Sequence, residues 1–183
     1  MSIYAFHENA PSLTAVSDTD IIPVISAGVL NQMTAKAFGN SVGGVVNTTA
    51  TALTITQALH GNRVVTVSSA APIAITLPQA TGTGTKYRFV IQVAATATSH
   101  TIAVANATDV MQGIQFALTT SSDNVIAYKT SATSDTITLN GTTKGGVAGA
   151  EYEITDIKTG FFQVRGIDYS TGSTVTPFSA AVS

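Results

Sequence analysis

Cysteine and tryptophan are absent from this 183-residue chain. Without thiols, disulfide staples, thiolate catalysis and cysteine-based zinc sites are excluded together. Charge is nearly as scarce: Asp, Glu, Lys and Arg supply 10% of the residues, against roughly a quarter in ordinary soluble domains. The eight basic side chains are scattered singly from Lys36 to Arg165, and the net charge is −2. No basic field exists to hold a phosphate backbone, so nucleic acid is not an expected partner. No uninterrupted apolar run approaches the ~18 residues of a membrane-spanning helix, so no membrane partner is expected either. The opening Met1-Ser2-Ile3-Tyr4-Ala5-Phe6-His7-Glu8 lacks a positive segment followed by an apolar run, and the expectation is synthesis in a cytoplasm without a secretory signal.

What is present is threonine, at 30 positions, together with alanine, serine and glycine, in a chain that is 44% hydrophobic. Ionised side chains on faces and edges normally keep folded β-proteins apart. An apolar, weakly charged chain of β-formers is built to sit against neighbours. From about residue 45 the pattern has period two: Ile73, Ile75, Leu77; Tyr87, Phe89, Ile91, Val93; Ile102, Val104; Ile114, Phe116, Leu118; Ile137, Leu139; Tyr152, Ile154; Phe162, Val164. These sets are the expected core faces, with Thr, Ser and Gln lining the others. Breakers at His60-Gly61-Asn62, Pro78 to Gly84, Asn106 to Asp109, Ser121 to Asn124, Asn140 to Gly149 and Thr159-Gly160 divide the chain into roughly nine or ten strands. The expected fold is all-β, an antiparallel β-sandwich or barrel-like body over residues 45–183 with an extended N-terminal arm over residues 1–44.

Within the body, Ile75-Thr76-Leu77, a glycine-rich loop and Tyr87-Arg88-Phe89 echo Ile137-Thr138-Leu139, another glycine-rich loop and Tyr152-Glu153-Ile154. Two related halves, about 45–118 and 119–183, would produce this echo, as would chance in a Thr-rich chain. In the arm, Leu13 to Val16 and Ile21 to Ile25 suit short extended segments, and Pro23 bars a central sheet position. Ser26 or Thr34 suits the cap of a brief helix carrying Val29, Leu30, Met33 and Ala37 on one side, and Asn40 to Gly44 suits a hinge. The arm is apolar but too broken to build a core. Ile21, Ile22, Val24, Val29, Leu30 and Met33 are its expected docking contacts; the alternative is an extra strand of the body's own core.

No catalytic constellation emerges. His7, His60 and His100 lie far apart with no carboxylate at ligand spacing, so neither a metal nor another cofactor is expected and surface loops are their expected setting. Glu151 and Glu153 share one face of a strand, but a glycosidase pair needs opposed carboxylates across a cleft, and solvated neighbours are expected. Gly82-Thr83-Gly84-Thr85-Lys86 lacks the first glycine and the following helix of a phosphate-binding loop. Asp109, Asp123 and Asp135 sit singly and form no calcium loop. Asn47-Thr48-Thr49, Asn106-Ala107-Thr108 and Asn140-Gly141-Thr142 have glycan-acceptor spacing, which carries little weight without a secretory signal. Of the five tyrosines, Tyr87 and Tyr152 fall on core faces, which leaves Tyr4, Tyr128 and Tyr169 as stacking faces without any tryptophan, and a glycan-binding module stays as a further alternative. A catalytic role is therefore not expected.

Two stretches carry a family resemblance. One is Asp18-Thr19-Asp20-Ile21-Ile22-Pro23-Val24 with Ala27-Gly28-Val29-Leu30 and Met33-Thr34. The other is Ile75-Thr76-Leu77-Pro78, a Gly-Thr-Gly loop, and Lys86-Tyr87-Arg88-Phe89-Val90-Ile91. Together they resemble the head decoration (cement) proteins of tailed bacteriophages, and similar openings occur in phage fibre and tail proteins. The resemblance implies a non-enzymatic virion structural protein on the outer surface of the capsid. Its implied partners are the major capsid protein, whose neighbouring subunits it bridges, and itself in a homo-oligomer, with a trimer favoured. A head or tail fibre component with a receptor- or glycan-binding β-domain is the alternative.

Overall fold

The computed structural model describes residues 21–26, 29–34, 43–96, 98–119, 124–171 and 173–182. The chain divides into two compact units, one ending at Val42 and the other running from Gly43.

In the first unit, β1 (Ile21–Ser26) and β2 (Val29–Thr34) form an antiparallel pair, with Ile22 opposite Met33 and Ile25 opposite Leu30. The helix expected near Val29 to Ala37 is not formed over Val29–Thr34, which is strand. A helix of about two turns is marginal by itself, and β-branched Val29 and Thr34 suit the extended backbone that pairs with β1. Pro23 is compatible with this pairing because each strand of a two-stranded sheet keeps a free edge. Leu13 to Val16 lies outside the described residues.

The second unit contains β3 (Val45–Thr48), β4 (Ala52–Thr54), the single-turn helix α1 (Gln57–His60), β5 (Arg63–Val67), β6 (Ala74–Thr76), β7 (Lys86–Ile91) and β8 (His100–Ala103). It continues with β9 (Val110–Thr119), β10 (Val125–Lys129), β11 (Thr136–Leu139), β12 (Glu151–Lys158), β13 (Phe161–Ser170) and β14 (Phe178–Ser179). A seven-stranded sheet has the order β10-β9-β13-β12-β7-β5-β3 and a five-stranded sheet the order β14-β11-β8-β6-β4. Neither closes on itself. The all-β expectation holds; the antiparallel and barrel expectations do not.

From β3 to β8 the chain changes sheet at every strand, so every second strand returns to the same sheet running the same way. The result is parallel pairing of β3 with β5 and β5 with β7 in one sheet, and of β4 with β6 and β6 with β8 in the other. These are short windings of the kind stacked in solenoids. After β8 the direction reverses: β9–β10 and β12–β13 are antiparallel pairs, β12 lies antiparallel to β7, and β11 antiparallel to β8. One parallel pair, β13 with β9, unites the two hairpins. The two echoing tripeptides that begin Ile-Thr-Leu both contribute to the five-stranded sheet, and the two Tyr-initiated segments are neighbours in the other, with Tyr87 opposite Ile154.

One core is shared by both sheets. Tyr87, Phe89, Ile91, Tyr152, Ile154, Phe162 and Val164 meet Ile75, Ile102, Ile137 and Leu139 in a single buried cluster. Each large apolar side chain so buried stabilises the fold by about 1.5–3 kcal/mol. Gly166 makes room within it, since a Cβ there would lie 2.7 Å from the Tyr152 ring.

β9 departs from the expected pattern. Met111, Gln115, Ala117 and Thr119 are buried, whereas Ile114 and Phe116 are 36% and 47% exposed. Val93, also assigned to the core by alternation, is exposed. His60 and His100 are buried and not in surface loops. His100 Nδ1 accepts the Ile73 N–H at 3.1 Å, so Nε2 carries the proton and donates to the Val93 carbonyl at 3.2 Å.

Candidate functional site on the outer face of the seven-stranded sheet

The face of the seven-stranded sheet that points away from the core is built by alternation. β9 sends out Ile114 and Phe116, β13 sends out Arg165, Ile167 and Tyr169, β12 presents Glu151 and Glu153, and β7 presents Lys86 and Arg88. Register then sorts them into rows. Phe116 lies beside Ile167, which lies beside Glu151; in the next row Ile114, Arg165, Glu153 and Arg88 follow one another. One half of the face is therefore apolar and the other a ladder of alternating charge. A shallow groove of about 550 Å³ runs where the halves meet, lined by Ile114, Phe116, Ile167, Arg165, Glu151 and Glu153.

Glu151 and Glu153 are not merely solvated. Arg88 grips Glu151 through Nε at 2.6 Å and Nη2 at 2.7 Å, and Lys86 Nζ lies 3.2 Å from Glu153. The hydrogen bond and charge of Glu151 raise the Arg88 pKa above its ordinary value. Such exposed pairs contribute at most about 1 kcal/mol each, so the ladder confers charge pattern more than stability. Arg165 is exposed and beside Glu153 in the register, and among the described residues it has no ion-pair partner.

Among the described residues, the carboxylates outside this face are spent internally. Asp109, Asp135, Asp156 and Asp168 are all buried, and each anchors a loop. Asp109 accepts the Ala80 N–H at 2.8 Å, and Asp135 accepts those of Ala181 and Val182 at 2.8 and 3.2 Å. Asp156 accepts the N–H groups of Thr81, Gly82 and Thr83 and the Thr83 hydroxyl. The Gly-Thr-Gly loop that failed as a phosphate site thus does cradle an anion, the chain's own carboxylate. Burial pushes the Asp156 pKa up, but these donors more than offset it and leave it below the ordinary carboxylate value. For Asp168 burial prevails and its pKa is raised to about 6, despite donors from the Tyr152 hydroxyl, the Gly146 and Tyr169 N–H groups and the Gln115 amide. Burial, then the Asp168 charge, pushes the Tyr152 hydroxyl well above its ordinary pKa.

The Asp168 network explains the reversed phase of β9. Gln115 must face inward for its Nε2 to donate to Asp168 at 3.1 Å, and that turns Ile114 and Phe116 outward. Alternation favoured Ile114, Phe116 and Leu118 as the core face of this strand, and the structure turns Ile114 and Phe116 outward instead.

Ile21, Ile22, Val24, Val29, Leu30 and Met33 lie in the hairpin of the first unit; of these, Ile21 is 56% exposed. Of the outer face, sequence reasoning singled out only Glu151 and Glu153, and it missed their cationic partners and the apolar rows beside them. Among the described residues, no cluster of three or more His, Asp or Glu is placed to hold a metal ion, and His7 and Asp123 lie outside them. No family model, curated protein or solved structure matches this chain.

Proposed function

We propose that this protein is a non-enzymatic virion structural protein that binds the outer capsid surface and bridges neighbouring major capsid subunits. The observation that carries the proposal is the half-apolar, half-charged outer face of the seven-stranded sheet. Ile114, Phe116 and Ile167 place large apolar side chains where a solitary sheet carries polar ones. A contiguous exposed apolar patch rimmed by charge is the usual mark of a protein-binding surface. The resemblance to decoration proteins names the surface it meets.

In this reading the two sheets are a sandwich that forms the body, and the segment carrying Ile21, Ile22, Val24, Val29, Leu30 and Met33 is an arm that docks on capsid subunits. Repeated copies around a local symmetry axis, a trimer by the resemblance, then gain through multivalency what each small footprint lacks. The test is imaging of virions with a tag on this chain. Label distributed over the capsid lattice supports the proposal. Label on a fibre or tail moves the protein to that station, and its absence from particles rejects the proposal.

A further inference from the structure

β10 ends the seven-stranded sheet and, among the described residues, is paired on one side only, to β9, from Val125 opposite Leu118 to Lys129 opposite Ile114. Bonds just beyond this pairing fix its phase: the Thr119 N–H donates to the Asn124 carbonyl at 2.9 Å, and the Thr130 N–H to the Gly113 carbonyl at 3.1 Å. Bonded and non-bonded pairs alternate in an antiparallel ladder. Ile126 and Tyr128 therefore turn their backbone groups toward β9, while Val125, Ala127 and Lys129 turn theirs to the free edge. All three outward residues are exposed, Val125 at 65%. Proteins normally blunt such an edge with proline, central charge or brevity. β10 has no proline, and its one charge, Lys129, stands at its end. The other edges of the two sheets are shorter, at four residues in β3, three in β4 and two in β14.

We propose that β10 joins two copies of this chain, antiparallel across a two-fold axis at Ala127, so that the seven-stranded sheet continues from one protomer into the next. In that register Ala127 meets its own counterpart and Val125 meets the partner's Lys129. Every outward N–H and C=O of the strand then faces a complementary group, and the two lysines are never opposed, which avoids the like-charge pair that destabilises cross-strand contacts. A second copy is the occupant because the strand complements itself under the symmetry of a closed, isologous contact. Phe116 and Leu118, on the strand behind, bring the two apolar outer faces alongside one another. The inference rests on the self-association in the proposed function, but its closed two-fold contact gives a dimer, or an assembly of dimers such as a hexamer, in place of a lone trimer, and it does not depend on a capsid as the destination.

The experiment is sedimentation of the full-length protein over a range of concentrations, with residue-resolved amide hydrogen exchange. The expected result is a dimer, or a multiple of dimers, in which the Val125, Ala127 and Lys129 amides exchange at least about tenfold more slowly than in the dilute monomer. Ala127→Pro removes an outward N–H that β9 does not use, so the chain should fold and remain monomeric; Ala127→Val should fold and dimerise. A wild-type protein that is monomeric throughout overturns the inference, as does a dimer whose three outward amides exchange freely, or a folded Ala127→Pro dimer. If Ala127→Pro does not fold, the wild-type exchange pattern decides. A monomer that still decorates virions overturns only this inference, whereas a β10-linked dimer absent from virions overturns only the proposed function.

Discussion

Asp156 shows how single carboxylates hold this molecule together. Three backbone N–H groups and one hydroxyl converge on it, and Asp156→Asn leaves the loop geometry but removes the charge that draws them. Hydrogen bonds to a charged group contribute about 1.5–3 kcal/mol, so urea unfolding should show a loss of about 2–3 kcal/mol near neutral pH. The Asp156 pKa lies below its ordinary value, so this stability is present above that value and fades as pH falls through the folded pKa. Asp168 has the opposite sign. With its pKa raised to about 6, the folded protein holds a proton that the unfolded chain releases near pH 4. Its contribution therefore declines as pH rises from about 4 to about 6 and is constant above that. His100 works against it: burial lowers the imidazole pKa despite the bond to Val93, so its contribution is lost as pH falls below the ordinary histidine value. The prediction is accordingly a difference between proteins. The stability of wild type relative to Asp168→Asn should fall by on the order of 2–3 kcal/mol across that window; an unchanged difference would reject the buried-acid assignment. None of these anchors was legible in the chain, where Asp109 and Asp135 read as isolated loop residues. Their partners are backbone groups far away in sequence, and no side-chain spacing records them.

The strands that alternate simply were legible. β7, β12 and the start of β13 each bury the apolar phase that the sequence marks, because one face meets the core and the other meets solvent or a neighbour. β9 ran against its sequence: its more apolar phase sends Ile114 and Phe116 outward, because a polar network within the core draws Gln115 inward. The parallel windings were hidden for a different reason. Alternating hydrophobicity reports which face is buried but not strand direction, and windings of unequal length leave no fixed period to detect. The close pairing of β9 with β13 gives this level its own test. A Cβ added at Gly113 would fall 1.8 Å from the Val164 carbonyl oxygen and 2.6 Å from its carbon, backbone atoms with no flexible side chain to yield. Gly113→Ala should cost about 3 kcal/mol or more, seen as a lower urea midpoint or as failure to fold. Arg88→Ala, on the outer ladder of the same sheet, should cost no more than about 1 kcal/mol.

At the scale of the whole molecule, the unit from Gly43 onward owns a complete core shared by its two sheets. Its fold and its attachment should therefore separate. Removing residues 1–34 is expected to leave the unfolding transition of the body in place while abolishing capsid binding; a truncated protein that still saturates capsids would reject the arm. The outer face can be probed without touching that segment. Phe116→Ser together with Ile167→Thr removes apolar surface that the core does not use, so stability should change by no more than about 1 kcal/mol. If the face is where the capsid is held, two central contacts are worth about 2 kcal/mol or more, a weakening of about thirtyfold or greater in a capsid co-sedimentation titration. The two outcomes must occur together to mean anything. Weakened binding with lost stability would report only unfolding, and retained binding with intact stability would show that the apolar rows of β9 and β13 face something other than the capsid shell.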